Sequence, residues 1–199
     1  MEQFNIKENY IHRNNETYLD VTKGKDEAQN EVYKEAFNIA TNDNDIKSIV
    51  DFGCGSGFKL LKYFKDFKTI GYDLKPTISK LEIKYPNNKW IISDYSKKPM
   101  QADLVICADV IEHVLNPNDL IEYLIKMNPK YILISTPDRN TLGNWGRLDG
   151  PPHNIHHIRE WTKEEFTVYM SRWFNIIISK NIPQSGYEYI LMVLKIKKK

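Results

Sequence analysis

The chain has 199 residues, 41% of them hydrophobic, which suits one domain whose sheet is covered on both faces. Lys and Arg number 28 against 26 Asp and Glu, and the resulting formal charge of +2 excludes the broad basic footprint of a duplex nucleic-acid binder. No apolar run approaches the ~20 residues of a membrane-spanning helix and no charged-then-apolar leader opens the sequence; Cys54 and Cys107 show no disulfide spacing, so a cytoplasmic protein with reduced thiols is expected.

Residues 1–40 read as an N-terminal lid or helical segment, polar at first, with isolated aromatics Phe4, Tyr10 and Tyr18. Within it, Val32, Ala36, Phe37 and Ala40 share one helical face. From residue 41 to 199 short apolar runs alternate with helical stretches. Strands are expected at Ile46–Asp51, Lys68–Asp73, Lys89–Asp94, Ala102–Cys107 and Lys130–Ser135, and helices at Phe58–Phe67 and Asp119–Met127. Such alternation implies a parallel sheet with helices on both faces. A long loop, 136–161, follows; loops of this length are uncommon unless functional. Thr162-x-x-Glu165 is a capping-box pattern opening a helix to Trp173. Phe174–Ser179 and Tyr187–Ile196 close the chain as an antiparallel hairpin.

The sharpest motif is Asp51-Phe52-Gly53-Cys54-Gly55-Ser56-Gly57, placed where a strand gives way to a helix. Glycines there allow a tight turn and close approach of a ligand, and the helix start offers free N–H groups. A dinucleotide fingerprint needs glycine at the sixth place, which here is Phe58. Asp73 ends the second strand, where a carboxylate can accept both hydroxyls of a ribose. Asp94 ends the third.

The glycine turn with these acids resembles motif I and its partners in class I S-adenosylmethionine (SAM)-dependent methyltransferases, over about residues 46–136. The resemblance implies a Rossmann-like α/β fold, a mostly parallel seven-stranded sheet with a C-terminal antiparallel hairpin. It also implies that Asp51, Gly53, Gly55 and Gly57 hold the methionine part of SAM. Asp73 and Leu74 would hold the ribose, Asp94 and Tyr95 the adenine, and the backbone of Cys107 and Ala108 would flank the sulfonium.

After the fourth strand, Asp109, Glu112 and His113 share one face if the segment is helical; the plainer reading is Asp109 as a helix cap. In the long loop, His153, His156 and His157 place three of the five histidines within five residues. The Asp109-x-x-Glu112-His113 segment, with His157 four residues before Trp161, resembles two metal-using branches of the same superfamily. These are the small-RNA 3′-terminal 2′-O-methyltransferases and the ubiquinone-pathway O-methyltransferases. They carry E-x-x-E-H, so this chain departs at Asp109. The resemblance implies that Asp109, Glu112, His113 and His157 bind a divalent cation (Mn²⁺, Mg²⁺, Fe²⁺ or Zn²⁺). Without a metal, His113 or His157 would be the general base.

The stretch from Ser135 through Gly150-Pro151-Pro152-His153-Asn154 to Trp161-Thr162 is similar to methyltransferases of bacterial surface-polysaccharide clusters. That likeness implies O-methylation of a small polar acceptor: a sugar, a nucleotide-linked sugar, or a phosphorylated or phosphoramidate precursor of a capsule. The rivals are a small-RNA 2′-O-methyltransferase, opposed by the near-neutral charge, and a quinone or aromatic O-methyltransferase with Trp145 and Trp161 lining its pocket. His12, Arg13 and Tyr18 are further groups able to reach an acceptor.

Overall fold

The computed structural model describes residues 29–143, 146–184 and 186–197. The expectations placed on Phe4, Tyr10, His12, Arg13, Tyr18 and Trp145 lie outside those residues. In chain order the elements are α1 (Asn30–Asn42), β1 (Ser48–Phe52), α2 (Phe58–Tyr63), β2 (Lys68–Asp73), α3 (Lys75–Lys84) and β3 (Lys89–Ile92). They continue with β4 (Leu104–Ala108), a 3₁₀ turn (Ile111–His113), α4 (Pro117–Lys126), β5 (Tyr131–Pro137), α5 (Lys163–Ser171), β6 (Phe174–Gln184) and β7 (Tyr187–Ile196).

The seven strands form one sheet in the order β3-β2-β1-β4-β5-β7-β6. β1 to β5 pair in parallel, and β7 lies antiparallel between β5 and β6. The strand order reverses between β1 and β4. In open α/β sheets that reversal opens a crevice at the carboxyl ends of the strands, where ligands bind.

Side chains of a strand alternate between faces, so a strand covered on both sides needs apolar residues at every position. In β4, Leu104 and Ile106 join the core beneath α1, α2 and α3, whereas Val105 and Cys107 join the core beneath α4 and α5. Ile49 and Val50 of β1 divide the same way. Leu120, Ile121 and Leu124 of α4 and Phe166 and Met170 of α5 fill one layer, all fully buried. Val32, Tyr33, Ala36 and Ala40 of α1 fill the other with Leu60 and Phe64. The expected α1 face is therefore the buried one, with Tyr33 added.

The Thr162–Glu165 capping box forms with both of its hydrogen bonds, and it starts α5 where the pattern places it. α4 begins earlier than its apolar run, because the Asn116 side chain caps it and Pro117 suits the first turn. The segment after β4 is not a helix beginning at Asp109. Asp109 sits at φ 53°, in left-handed backbone, and only one 3₁₀ turn follows before the chain becomes extended at Val114. α3 is an element that the apolar pattern left unmarked, since only Thr77, Ile78 and Leu81 of it are buried.

Candidate functional site

The carboxyl ends of the parallel strands gather the singled-out residues along one edge of the sheet. The glycine turn leaves β1 and is pinned to β2: the Gly53 and Cys54 N–H groups donate to the Tyr72 carbonyl at 2.8 and 3.0 Å. The three glycines of the turn all have positive φ. They differ in what lies before them. A Cβ on Gly53 would fall 2.3 Å from Val110 Cγ2, and one on Gly57 would fall 2.6 Å from Trp90 Cη2. A Cβ on Gly55 would meet nothing within 4 Å, so its face looks into open space.

Asp73, the last residue of β2, accepts the Gly55 N–H at 2.8 Å on one oxygen and the Leu74 N–H at 2.7 Å on the other. The carboxylate thus ties the turn to β2.

Asp51 is fully buried within β1 and accepts the Tyr33 hydroxyl of α1 at 2.9 Å on Oδ2. Its Oδ1 is buried and has no hydrogen-bond partner among the described residues. Burial pushes its carboxyl up from the ordinary 3.8 to about 7, against the pull of the Tyr33 hydroxyl and the Lys59 ammonium.

Asp94 lies two residues beyond β3 and accepts the Ser96 N–H and hydroxyl at 3.0 and 2.6 Å, which hold its carboxyl below its usual range. Tyr95 stacks on Phe52 at 6.2 Å between ring centroids, with part of its surface in solvent. Ala108 ends β4 and is buried.

The acceptor-side residues divide. Glu112, His113 and His157 each bring one ligand atom within 4.8 Å of the others. Asp109 is not in that group. Its left-handed backbone directs the carboxylate to Gln29 Nε2 and Ser135 Oγ, both at 2.8 Å, and burial raises its carboxyl despite those bonds. Of the four residues expected to bind a cation, the structure brings together Glu112, His113 and His157 and leaves Asp109 apart from them. Val110 links the glycine turn to the cluster, since it lies against Gly53 while its carbonyl accepts the His113 N–H.

The histidines are held from behind. His113 Nδ1 lies 2.8 Å from the His156 carbonyl, and a carbonyl only accepts, so Nδ1 carries the proton. His113 Nε2 stands 3.6 Å from Glu112 Oε1. His157 Nδ1 lies 2.6 Å from Glu160 Oε1, and its Nε2 meets Asn154 Nδ2 at 3.1 Å. The two imidazoles pack edge to face, 4.6 Å between centroids. Thr136 Oγ1 donates to Glu112 Oε2 at 3.2 Å. The long loop is fastened over this cluster because the Ile158 N–H donates to the Glu112 carbonyl at 2.9 Å.

Chemically, the cluster is a half-enclosed set of two imidazole nitrogens and one carboxylate. Such a set suits a first-row divalent cation with coordination positions left open, or a proton acceptor. The Trp161 ring packs on Phe166 and Tyr169 of α5. The supporting residues Thr136, Tyr33 and Gln29 carry no motif, because their contacts span distant parts of the chain. Glu160 had one usable signal, an acid three residues after a histidine that precedes a capped helix.

The sequence profile of a family described as methyltransferase domain matches residues 25–181. A comparison with curated proteins gave no match. Among solved structures, the methyltransferase domain of a bacterial CtHen1 is 19% identical, covering 84% of this chain and 98% of its own, with a TM-score of 0.62. A protein designated PH0226 from Pyrococcus horikoshii is 17% identical, covering 91% of this chain and 95% of its own, with a TM-score of 0.66. The 1,6-didemethyltoxoflavin N1-methyltransferase of Burkholderia thailandensis, solved with its substrate and S-adenosylhomocysteine, is 17% identical, covering 84% of this chain and 79% of its own, with a TM-score of 0.61. At these identities the likeness is one of fold.

Proposed function

The chain belongs to the methyltransferase-domain family, and on that premise we propose that it moves the methyl group of SAM to an oxygen of a small polar acceptor seated beside Glu112, His113 and His157. The observation that carries this reading is the convergence of those three side chains next to the glycine turn, joined to it through Val110.

The crevice suits the cofactor. The open face of Gly55 gives room for a ligand, and the unpartnered Oδ1 of Asp51 suits a cationic ammonium. The Asp73 carboxylate at the end of β2, beside Leu74, is an acceptor of the kind that ribose hydroxyls need. Asp94 and Tyr95 would hold the adenine, and Ala108 would lie by the reacting sulfur. Bound there, SAM supplies an electrophilic methyl group on a sulfonium. The chain's contribution is then chiefly alignment, worth about 7–11 kcal/mol in favourable cases.

The donor set suits a divalent cation held by Glu112, His113 and His157, with Asp109 outside the coordination group. Mn²⁺, Fe²⁺ and Zn²⁺ accept such a mixed nitrogen and oxygen set; Mg²⁺ favours oxygen. A cation there would orient an acceptor oxygen and favour its deprotonated form. The backing of each Nδ1 by a fixed acceptor supports the metal reading, since ligating histidines are usually held this way.

The likeness of the 136–161 loop to polysaccharide-cluster methyltransferases supports a sugar or phosphorylated acceptor from bacterial surface-polysaccharide synthesis. Two unbridged, buried thiols are in keeping with a reducing, cytoplasmic setting. No helix among the described residues is long and apolar enough to cross a membrane.

The test is transfer of labelled methyl from SAM to nucleotide sugars, phosphorylated metabolites and phenols, before and after chelation and with each cation added back. The expected result is transfer to a polar acceptor that chelation abolishes and one cation restores. Activity that persists after chelation and in His157→Ala would contradict the acceptor site.

A further inference from the structure

Folding alone does not account for Glu160. Its side chain is 1% exposed, with Oε1 2.6 Å from His157 Nδ1. Its Oε2 is buried and has no hydrogen-bond partner among the described residues. Withdrawing a carboxylate from water costs several kcal/mol, and an apolar side chain of similar volume is often as good or better for stability. Nor is Glu160 needed to anchor the loop. The Arg139 N–H donates to the Trp161 carbonyl and the Ile158 N–H to the Glu112 carbonyl, both at 2.9 Å, and Asp138 and Trp161 form a parallel bridge.

What Glu160 adds is direction. A neutral imidazole has two tautomers, and the partner of one nitrogen decides which nitrogen keeps its lone pair. The Asn154 amide oxygen accepts the His156 N–H at 2.9 Å, so its NH₂ faces His157 and donates to Nε2 at 3.1 Å; Nε2 is then the lone-pair atom and Nδ1–H is directed at Glu160 Oε1. His113 also carries a proton on Nδ1, held by the His156 carbonyl. The two rings thus both present Nδ1–H to an acceptor, each fixed from outside the cluster.

We propose that Glu160 is the positioning residue of the acceptor site: it holds the Nδ1–H of His157, so that Nε2, capped by the Asn154 amide in this structure, is the ring atom a cation or proton would take by displacing that amide. This rests on the reading of His157 as an acceptor-site residue. It assigns to Glu160 a role in orienting a ligand to a cation or proton without touching substrate.

The test uses ring ¹H–¹⁵N correlation spectra of the full chain, which distinguish the tautomers directly, together with Mn²⁺ affinity and methyl-transfer turnover. Wild type should show His157 as Nδ1–H alone. In Glu160→Leu, and in the unbranched Glu160→Met should the first fail to fold, the acceptor for Nδ1–H is gone and an Nε2–H form should appear. Mn²⁺ affinity and turnover should each fall roughly 10–100-fold, the usual effect of removing the group behind a ligating histidine. SAM affinity should stay unchanged. A wild-type ring found as Nε2–H, or an unaltered Nδ1–H ring in both variants, overturns the proposal. A ring that switches while Mn²⁺ affinity and turnover hold would uphold the positioning by Glu160 and overturn instead the acceptor-site reading of His157.

Discussion

Replacing Asp51 by Asn should make the protein's stability less sensitive to pH while weakening its hold on the cofactor. Asp51 is fully buried and its carboxyl stands at about 7 where 3.8 is ordinary. A carboxyl raised by folding is protonated more readily in the folded than in the unfolded chain. Its contribution is therefore fully present below about pH 4 and is lost as pH rises toward 7. At about 1.4 kcal/mol per pH unit, the gap between 3.8 and about 7 is worth about 4 kcal/mol as a ceiling. About 2 kcal/mol is realistic if water reaches the site, since effective interior dielectrics are higher than dry protein suggests. Asn keeps an acceptor for the Tyr33 hydroxyl but cannot ionise. Urea unfolding of both proteins from pH 4.5 to 8 should show their stability difference changing by about 2–4 kcal/mol, with Asn gaining relative to Asp as pH rises. Taking the difference cancels the titration of every other group. S-adenosylhomocysteine should bind Asp51→Asn about 10–100-fold more weakly, about 1.4–2.8 kcal/mol, if Oδ1 meets the cofactor's ammonium. Parallel pH profiles for the two proteins would refute the assignment of a buried, raised carboxyl.

Gly55→Ala should fold, with about 1–2 kcal/mol lost to its left-handed backbone, yet bind S-adenosylhomocysteine at least ~10-fold more weakly by calorimetry, because its Cβ enters the open crevice. Gly57→Ala should instead lose more stability in a denaturant melt, because its Cβ would fall 2.6 Å from Trp90. Thr136→Val removes the hydroxyl 3.2 Å from Glu112 Oε2 and should weaken Mn²⁺ binding roughly 10-fold in a titration, with little change in SAM affinity. Glu165→Ala breaks the α5 capping box and should lower the Tm by roughly 2–4 °C, for a loss of about 1 kcal/mol, without changing turnover.

What could be read in the sequence was local or periodic. The runs at 48–52, 104–108 and 131–137 are apolar on both faces, and only a sheet covered on both sides buries them. The glycine turn and Asp73 lie next to strand ends and could be placed without knowing the fold. The Thr162–Glu165 pair stated its own cap. α3 escaped because its surface is mostly solvated, so its apolar signal was thin. Asp109 was misplaced for a different reason. Its spacing to Glu112 and His113 fits a helix, but Ser135 and Gln29 hold its carboxylate from two other parts of the chain and its backbone turns left-handed. Thr136 matters through a tertiary contact, which no spacing encodes, whereas Glu160 lies three residues after His157 and could have been read from that spacing.

Diffraction from crystals grown with S-adenosylhomocysteine and Mn²⁺, collected at the manganese edge, tests the central claim most directly. The account predicts the adenosyl group over Gly55 with its ribose on Asp73, and one anomalous peak bounded by Glu112, His113 and His157. A cofactor seated elsewhere, or a crevice that refuses it, would contradict the account at its root.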